Sequence, residues 1–306
     1  MSGRKWNKLG RIFTPAGGHP ELLSHAANPL PVHMSGDVYR IFFNGRDAGN
    51  RSAVGAFDFD IMRRDVIEEY HAPFFSAGPP GSFYADGVSI GNCYRVGNVT
   101  YLVFMGWQNP PDAHWRGDIG RLIVHDDYTL SLAEETAFIP ADHFNGISLS
   151  YPWVQAMTSG GYEMWYGVTY DNNWDAGNGE MLHVLRRAVS ANGHEWADAG
   201  DAIPFALGVA QAFSRPTVLV GPDGAEDMWF SYRSGDGTPY RIGHSRKTGD
   251  GWTMPPGDPG IDVSAAGWDS EMIEYPFVFR HAGQVYMLYN GNSYGKTGIG
   301  LAELVQ

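Results

Sequence analysis

Short runs of aromatic and β-branched residues recur along the chain, and glycine, aspartate and asparagine separate them. The stretch from Trp268 to Gly291 shows the pattern most clearly: two glutamates, a Tyr-Pro pair, an apolar run (FVFR), a tight turn (HAG) and a second apolar run (QVYMLYN). Runs of this length and composition predict β-strands, and the turn predicts a hairpin between them. Helical periodicity is scarce, so the sequence predicts an all-β fold.

The hairpin pattern repeats at nearly even intervals. Pro276 lies ten residues before Tyr286, and the same interval separates Pro29 from Tyr39. Aligned on this interval, the proline positions fall at 29, 91, 152, 216 and 276, with Gly91 in place of proline, and their spacings are 62, 61, 64 and 60 residues. Five units of three or four short strands predict a single-domain, five-bladed β-propeller.

The repeat also predicts the boundaries of the domain. The propeller is expected to occupy residues 25–306, with blades starting near residues 28, 86, 150, 214 and 272. Residues 1–24 form an N-terminal lead-in, and one option for this segment is to close the ring by pairing with the last unit.

Composition and charge narrow the class of protein. The chain has 43% hydrophobic and 18% charged residues, which is typical of a soluble globular protein. Its formal net charge of −13 argues against a nucleic-acid partner. No apolar run is long enough to span a membrane, the N-terminus lacks an apolar signal core, and the single cysteine, Cys93, cannot form an internal disulfide. A cytoplasmic location without membrane association is therefore expected.

The order of strands in a blade predicts which face carries the site. The first two strands run antiparallel, so the blade starts and the loops between second and third strands share one face. The turns on the opposite face are short, whereas the loops on this face are long, polar and aromatic, as in NGRDAGNRS, GWQNPPDAHWRGD and TYDNNWDAGNGE. Loops on a rigid scaffold commonly carry function, so we expect the site in the central funnel on this face.

Four carboxylates are candidates for catalysis. Glu271 and Glu274 flank the start of blade five, Asp86 occupies the corresponding slot of blade two, and Asp47 lies in a loop of blade one. Two opposed carboxyl groups could cleave a glycosidic bond, one by protonating the leaving oxygen and the other as nucleophile or base. An acidic surface turn is the alternative for the two glutamates, and pairing with a neighbouring arginine or the turn backbone is the alternative for Asp47.

Aromatic, amide and arginine side chains on the same face predict a sugar-binding site. Aromatic rings stack on pyranose faces, and guanidinium groups favour carboxylate or phosphate. The arginines could instead be buried struts between blades. The candidate substrate-binding residues are His25, Asn28, Arg46, Arg51, Trp107, Tyr151, Trp174, Arg215, Tyr232, Arg233, Asn290, Tyr294 and Lys296.

The histidines do not indicate a metal. His25, His114 and His183 lack the spacing of known metal motifs, so neither a metal nor another cofactor is predicted. The expected partner is a carbohydrate, a sugar phosphate or a nucleotide sugar, and the oligomeric state stays open.

Motifs at the starts of successive units carry a family resemblance. NPLPV, YPWV, SRPTV and EYPFV resemble the five-bladed propeller superfamily of glycoside hydrolases that includes families 32, 43, 68, 117 and 130. The longer stretches NGRDAGNRSAVG and WDSEMIEYPFVFRHAGQVYMLYNGNSYGKTGIGLA are similar to an uncharacterised bacterial group associated with polysaccharide and other glycan biosynthesis. The resemblance covers about residues 22 to 304 and implies a propeller with a carbohydrate site.

One position departs from the pattern of that superfamily. Families 32 and 43 place a catalytic aspartate at the start of the first blade, where this chain has Asn28. An amide can act neither as a base nor as a nucleophile, so the resemblance implies that this role is missing or has moved, with Asp47 as one candidate.

These observations predict a glycoside hydrolase-like enzyme that cleaves or transfers a glycosidic bond of an anionic or activated sugar. A phosphorylase or glycosyl-transfer enzyme is an alternative, since phosphate can replace water as the acceptor and would use the same arginines. A non-catalytic carbohydrate-binding propeller, which Asn28 favours, and a propeller that binds a protein partner are the remaining alternatives.

Overall fold

The computed structural model describes residues 4–111, 114–144, 146–169, 182–249 and 251–305. Twenty strands fall into five antiparallel units of four. The strands of the first two units are β2 (Ser24–Ser35), β3 (Val38–Arg46), β4 (Ser52–Asp60), β5 (Asp65–Phe75), β6 (Gly87–Val96), β7 (Val99–Gln108), β8 (Arg116–Val124) and β9 (Leu130–Leu132). Those of the third and fourth units are β10 (Ser148–Ala156), β11 (Tyr162–Thr169), β12 (His183–Ser190), β13 (Ala197–Asp201), β14 (Ala212–Val220), β15 (Glu226–Arg233), β16 (Arg241–Thr248) and β17 (Gly251–Trp252). The fifth unit comprises β18 (Glu274–His281), β19 (Gln284–Asn290), β20 (Ile299–Leu304) and β1 (Trp6–Phe13).

Little regular structure lies outside the strands. A short 3₁₀ helix spans Ala141–Phe144, and a single helical turn spans Asn292–Gly295. No helix among the described residues is long and apolar enough to cross a membrane.

The first strands of the five units form a closed ring. They contact one another in the cyclic order β2, β6, β10, β14 and β18, and β18 contacts β2 again. Each unit extends outward from its first strand by successive hairpins, and the outer strand of the fifth unit is β1, which pairs antiparallel with β20. Units repeated radially around an axis define a β-propeller, so the predicted all-β propeller is confirmed.

Aromatic residues fill the space between units. Trp165 and Trp229, in the second strands of units three and four, are fully buried. Both tryptophans stand inside predicted strands, in the runs MWYG and MWFS, rather than in loops, and for this reason the sequence predicts that they belong to the core. Large buried aromatic side chains supply much of the apolar surface that holds adjacent sheets together.

Neighbouring units are also joined by hydrogen bonds between a side chain and the backbone. At three of the junctions, a polar side chain on a second strand accepts the N–H of a residue on the next unit's first strand. These bonds join Asn44 Oδ1 to the N–H of Ile90 (2.9 Å), Ser231 Oγ to that of Tyr275 (2.7 Å), and Asn290 Oδ1 to that of Asn28 (2.9 Å). They satisfy buried amides at the bulge of each first strand, where no ladder partner exists.

Gly91 allows the first strands of units two and three to approach closely. A Cβ atom at this position would lie 2.1 Å from the carbonyl oxygen of Pro152. Glycine therefore replaces proline in this one unit because any side chain would collide with the neighbouring strand.

Candidate functional site

A cavity of about 380 Å³ lies at the centre of the face on which the first strands begin. Residues from all five units line it, as expected for a funnel at a propeller axis. The lining residues are Ala27, Asn28, Asn44, Arg46, Asn50, Ser52, Ser89, Met105, Trp107, Asn109, Trp115, Ser150, Tyr151, His183, Phe213, Ser214, Arg233, Tyr240, Tyr275 and Tyr294.

Each first strand contributes one residue at an equivalent position beside the cavity. In four units the pairing with the second strand shifts register immediately after this residue, and in unit two it shifts one residue later, after Ile90, so each first strand carries a bulge there. The five residues are Ala27, Ser89, Ser150, Ser214 and Glu274. Four of them are small and leave room for the cavity, and Glu274 alone carries an ionisable side chain.

The next residue along four of these strands has left-handed backbone. Asn28, Tyr151, Arg215 and Tyr275 have φ angles of 53°, 44°, 46° and 51°. A non-glycine residue rarely adopts this conformation, and such residues cluster at functional sites, where a bulge redirects a side chain. Three of the four, Asn28, Tyr151 and Tyr275, line the cavity.

Glu274 is a buried carboxyl group without a hydrogen-bond partner. Its exposed fraction is 0%, and neither carboxyl oxygen bonds to any of the described residues. Burial raises the pKa of Glu274 well above its ordinary value, although Arg46 and Arg233 oppose this shift. Burial therefore favours the protonated form of this carboxyl group, which is the form that a proton donor needs.

The two arginines that act electrostatically on Glu274 both line the cavity. Arg46 lies at the end of β3 and donates a hydrogen bond of 2.7 Å to Asn50 Oδ1. The guanidinium carbon of Arg233, at the end of β15, lies 4.7 Å from the centre of the Tyr240 ring. Two guanidinium groups in the lining give this part of the cavity a positive potential that favours an anionic ligand.

Aromatic rings form the wall on the side of units two and three. Trp115 stacks on His183, with 5.7 Å between ring centres and 9° between planes. Trp107 donates its indole N–H to Ser52 Oγ at 3.0 Å. Burial, reinforced by His114 and Arg233, lowers the pKa of His183 to about 3, so this imidazole is neutral. A flat apolar wall opposite polar groups suits a sugar ring, which has one apolar face.

Two tyrosine hydroxyls meet beside Glu274. The hydroxyl oxygens of Tyr151 and Tyr275 are 3.1 Å apart, so one donates to the other. Burial raises the pKa of both phenols, and the Glu274 carboxyl adds to this effect. Both groups therefore remain protonated and can act as hydrogen-bond donors to a ligand.

None of the four acids predicted for catalysis is among the residues that line the cavity, and Glu274 is fully buried next to the lining residue Tyr275. Glu271 has an exposed side chain, and the carboxylate of Asp86 accepts the N–H of Asn109 at 2.7 Å. Asp47 pairs with Arg51, with 2.9 Å between Oδ2 and Nε. Burial alone would raise the pKa of Asp47, but the hydrogen bonds from Arg51 outweigh it and the net shift is downward.

Arg215 occupies the centre of the ring below the cavity. Its guanidinium donates to the carbonyl oxygens of Pro29 (2.6 Å) and Ile90 (3.2 Å) and lies over the Phe277 ring, so it contacts three units besides its own. Only 2% of the residue is exposed. Burial lowers the pKa of Arg215 to about 9, so the group stays cationic at neutral pH. The structure favours the strut alternative for this arginine.

The other predicted binding residues divide by position. Asn290 is fully buried, and its amide bonds to the backbone of Ala26, Asn28 and Gly298. His25 and Lys296 lie outside the lining, and burial with nearby Arg46 and Lys296 lowers the pKa of His25 to about 4.

Tyr232, like these residues, lies outside the lining, whereas Tyr294 is part of it. Trp174 falls outside the described residues.

Tyr275 is a lining residue that the sequence interpretation missed. It precedes Pro276 as Asn28 precedes Pro29 and Tyr151 precedes Pro152. The aligned repeat therefore contained the signal, because equivalent residues of a propeller surround the same axis.

The described residues contain no group of three or more His, Cys, Asp or Glu side chains that could hold a metal ion. The described lining offers two arginines and several hydroxyl and aromatic groups, and the carboxyl group of Glu274 is buried behind it.

Comparisons with known proteins show one set of close relatives. No protein-family model matches the chain. The "Uncharacterized protein MT1551" of Mycobacterium tuberculosis (strain CDC 1551 / Oshkosh) is 40% identical over 302 residues, which cover 98% of this chain and 99% of that protein. "Uncharacterized protein Rv1502" of strain H37Rv is 39% identical with the same coverage.

Solved structures share the fold at low sequence identity. One named "Glycoside hydrolase" has a TM-score of 0.73 and 11% identity and covers 98% of this chain and 92% of its own. The sucrose-6-phosphate hydrolase from Lactobacillus gasseri has a TM-score of 0.64 and 11% identity and covers 92% of this chain and 60% of its own. These similarities establish a propeller fold common to glycoside hydrolases.

Proposed function

We propose that this chain, which belongs to the same family as the two mycobacterial proteins, acts on a glycosidic bond of an anionic sugar bound in the central cavity. The observation that carries the proposal is Glu274, a fully buried carboxyl group without a hydrogen-bond partner among the described residues, beside Arg46 and Arg233. The propeller fold shared with glycoside hydrolases supports it. One protein of this fold is named for the hydrolysis of sucrose 6-phosphate, an anionic sugar.

In this mechanism each group has a separate task. Arg46 and Arg233 bind the anionic group, and the wall formed by Trp115 and His183 supports the sugar ring. Glu274 donates its proton to the glycosidic oxygen as the bond between that oxygen and the anomeric carbon breaks. The proton leaves with the departing alcohol, and an acceptor oxygen attacks the anomeric carbon.

Transfer to phosphate is a second candidate that one observation favours. Among the described lining residues there is no carboxylate that could activate water. Phosphate is itself a nucleophile and needs no general base, so a single acid and two arginines suffice for phosphorolysis. Water would then be replaced by an anion that the same arginines hold. The absence of a lining carboxylate from the described part of the chain equally favours binding without cleavage.

A ligand screen tests the proposal. Thermal unfolding is measured with glucuronic acid, glucose 6-phosphate, inorganic phosphate and cellobiose, for the wild type and for Glu274→Gln, Arg46→Gln and Arg233→Gln. Arg51→Gln is the matched control, because Arg51 is exposed and pairs with Asp47 outside the cavity lining. A ligand at one hundred times its Kd stabilises the folded state by about 2.7 kcal/mol.

We expect an anionic sugar to stabilise the wild type, Glu274→Gln and Arg51→Gln, and to stabilise the two cavity-arginine variants less. Turnover is measured on an anionic glycoside, methyl β-D-glucuronide, by release of reducing sugar, or of sugar phosphate when inorganic phosphate is added, and it should be lost in Glu274→Gln. Stabilisation by cellobiose alone, or equal effects of the Arg46 and Arg51 substitutions, would contradict an anion site. Binding without turnover in the wild type would favour the alternative of a non-catalytic carbohydrate-binding propeller.

A further inference from the structure

The segment between β13 and β14 forms a small hairpin with an apolar outer surface. Ala206 and Ala210 exchange backbone hydrogen bonds of 2.9 and 2.8 Å, which close the turn. Phe205, Leu207 and Val209 project from it, with exposed fractions of 39%, 57% and 50%. We name residues 205–209 the apolar hairpin. Three of the ten large hydrophobic residues that are exposed in the described chain stand on it, so it is the densest apolar surface there.

The apolar hairpin is anchored to the cavity wall. Gln211 Oε1 accepts the N–H of Gly208 at 2.7 Å, which ties the tip of the hairpin to its base. The N–H of Gln211 bonds to the carbonyl oxygen of Arg233, and its own carbonyl accepts the N–H of His183, both at 3.0 Å. Arg233 and His183 line the cavity, so the hairpin stands at the rim of its mouth on the side of units three and four.

A ligand in the cavity must extend through this mouth. The cavity volume of about 380 Å³ is at the small end of ligand pockets, so it accommodates a small saccharide and not a long substituent. On the side of units one and two the lining contains Arg46, Asn50 and Asn109, which are polar. The opposite side of the mouth, where the apolar hairpin stands, is apolar.

Two other occupants fit this surface less well. A stable protein interface buries about 800 Å² on each partner, far more than three side chains provide. An anionic membrane surface attracts basic segments, and this chain has a formal net charge of −13. A hydrocarbon chain attached to the bound sugar requires only a narrow apolar strip beside the mouth.

We propose that the apolar hairpin binds the hydrocarbon chain of an amphiphilic glycoside whose sugar occupies the cavity. The inference rests on the proposed function for the position of the sugar, and it adds the class of the attached group. Alkyl, acyl and prenyl chains share the required chemistry. Each methylene that is fully buried tightens binding by up to about fourfold, because its transfer from water contributes about 0.8 kcal/mol.

Alkyl glucuronides of different length test the inference. Binding of methyl and octyl β-D-glucuronide, the latter below its micelle concentration, is measured by calorimetry for the wild type and for the triple variant Phe205→Ser, Leu207→Ser, Val209→Ser. The single variant Leu207→Ser provides a milder change at the most exposed of the three positions. The double variant Met62→Ser, Ile67→Ser is the matched control, since both residues are exposed but belong to the outer part of unit one.

We expect the wild type and the control to bind the octyl compound at least about tenfold more tightly than the methyl compound. The triple variant should bind both equally, with methyl affinity unchanged, and Leu207→Ser should lie between. Equal affinities in the wild type, or a preference that survives in the triple variant, would overturn this inference and leave the anionic-sugar site standing. If neither compound binds, both proposals fail. A shift from dimer to monomer on triple substitution, seen by sedimentation, would assign the surface to a second copy instead.

Discussion

Replacing Glu274 by glutamine should make the protein more stable at neutral and alkaline pH. The amide has nearly the same shape as the protonated carboxyl group but cannot ionise. Glu274 is fully buried and has no hydrogen-bond partner among the described residues, so its charged form is strongly disfavoured in the folded state. The substitution removes the cost of that ionisation and leaves the packing almost unchanged.

The sign and slope of the pH dependence of the free energy of unfolding follow from proton linkage. Burial raises the pKa of Glu274 above its ordinary value of 4.5, so the folded state binds more protons than the unfolded state above this pH. The free energy of unfolding therefore falls as the pH rises from 4.5 to the folded pKa, by up to about 1.4 kcal/mol per pH unit. For a chain of this size, 1 kcal/mol corresponds to roughly 2 °C in Tm.

Urea unfolding at half-unit steps from pH 4.5 to 8.5 measures this difference. Wild type and Glu274→Gln should have similar free energies of unfolding at the acid end. As the pH rises, the variant should become steadily more stable than the wild type. Glu271→Gln is the control, since the Glu271 side chain is exposed and its substitution should give a difference that does not vary with pH. If Glu274→Gln is destabilised equally at every pH, the carboxyl group is ionised and paired, and its assignment as a proton donor is wrong.

Three further substitutions test the fold. Gly91→Ala should lower the free energy of unfolding by on the order of 1–3 kcal/mol, because the new Cβ would lie 2.1 Å from the carbonyl oxygen of Pro152. An unchanged Tm in thermal unfolding would contradict this close approach. Asp58→Ala should lower the free energy of unfolding by about 3–5 kcal/mol, since it removes the two hydrogen bonds of 2.8 and 2.9 Å that Asp58 accepts from the buried guanidinium of Arg40. In urea unfolding, the double variant with Arg40→Met should recover most of this loss. Arg215→Met should lower stability by about 1–3 kcal/mol while the Kd for an anionic sugar stays within twofold, and selective loss of binding would show that this arginine holds the ligand.

The fold could be predicted because a propeller repeats one local pattern. The interval between Pro29 and Tyr39 recurs in each unit, since each unit builds the same hairpin against the same axis. Trp165 and Trp229 could be placed in the core because they stand within strands, and the structure confirms both. The position of these tryptophans within strands was therefore enough to predict that they are buried.

The site could be predicted only in part. Tyr151 could be placed at the cavity and Glu274 beside it, because the start of a first strand fixes their position near the axis. Asp47 was harder to place, because a loop side chain can turn back on its own backbone, as its bonds to Arg51 show. Arg215 occupies the same slot as Tyr151, yet the length of its side chain lets it cross the axis and bond to two other units. Sequence position gives the direction of a side chain but not the partner it reaches.

The pairing of β1 with β20 has a consequence for how the protein is made. β1 leaves the ribosome early, but its partner begins at Ile299, so almost the whole chain must be synthesised before the two can meet. At 5–20 residues per second this interval is on the order of half a minute. During much of that time the side chain of Trp6, which is buried against Trp229 in the finished protein, lacks its native cover. Nascent chains therefore expose a β-strand edge until β20 is made, and the pairing of β1 with β20 is a late step of biogenesis.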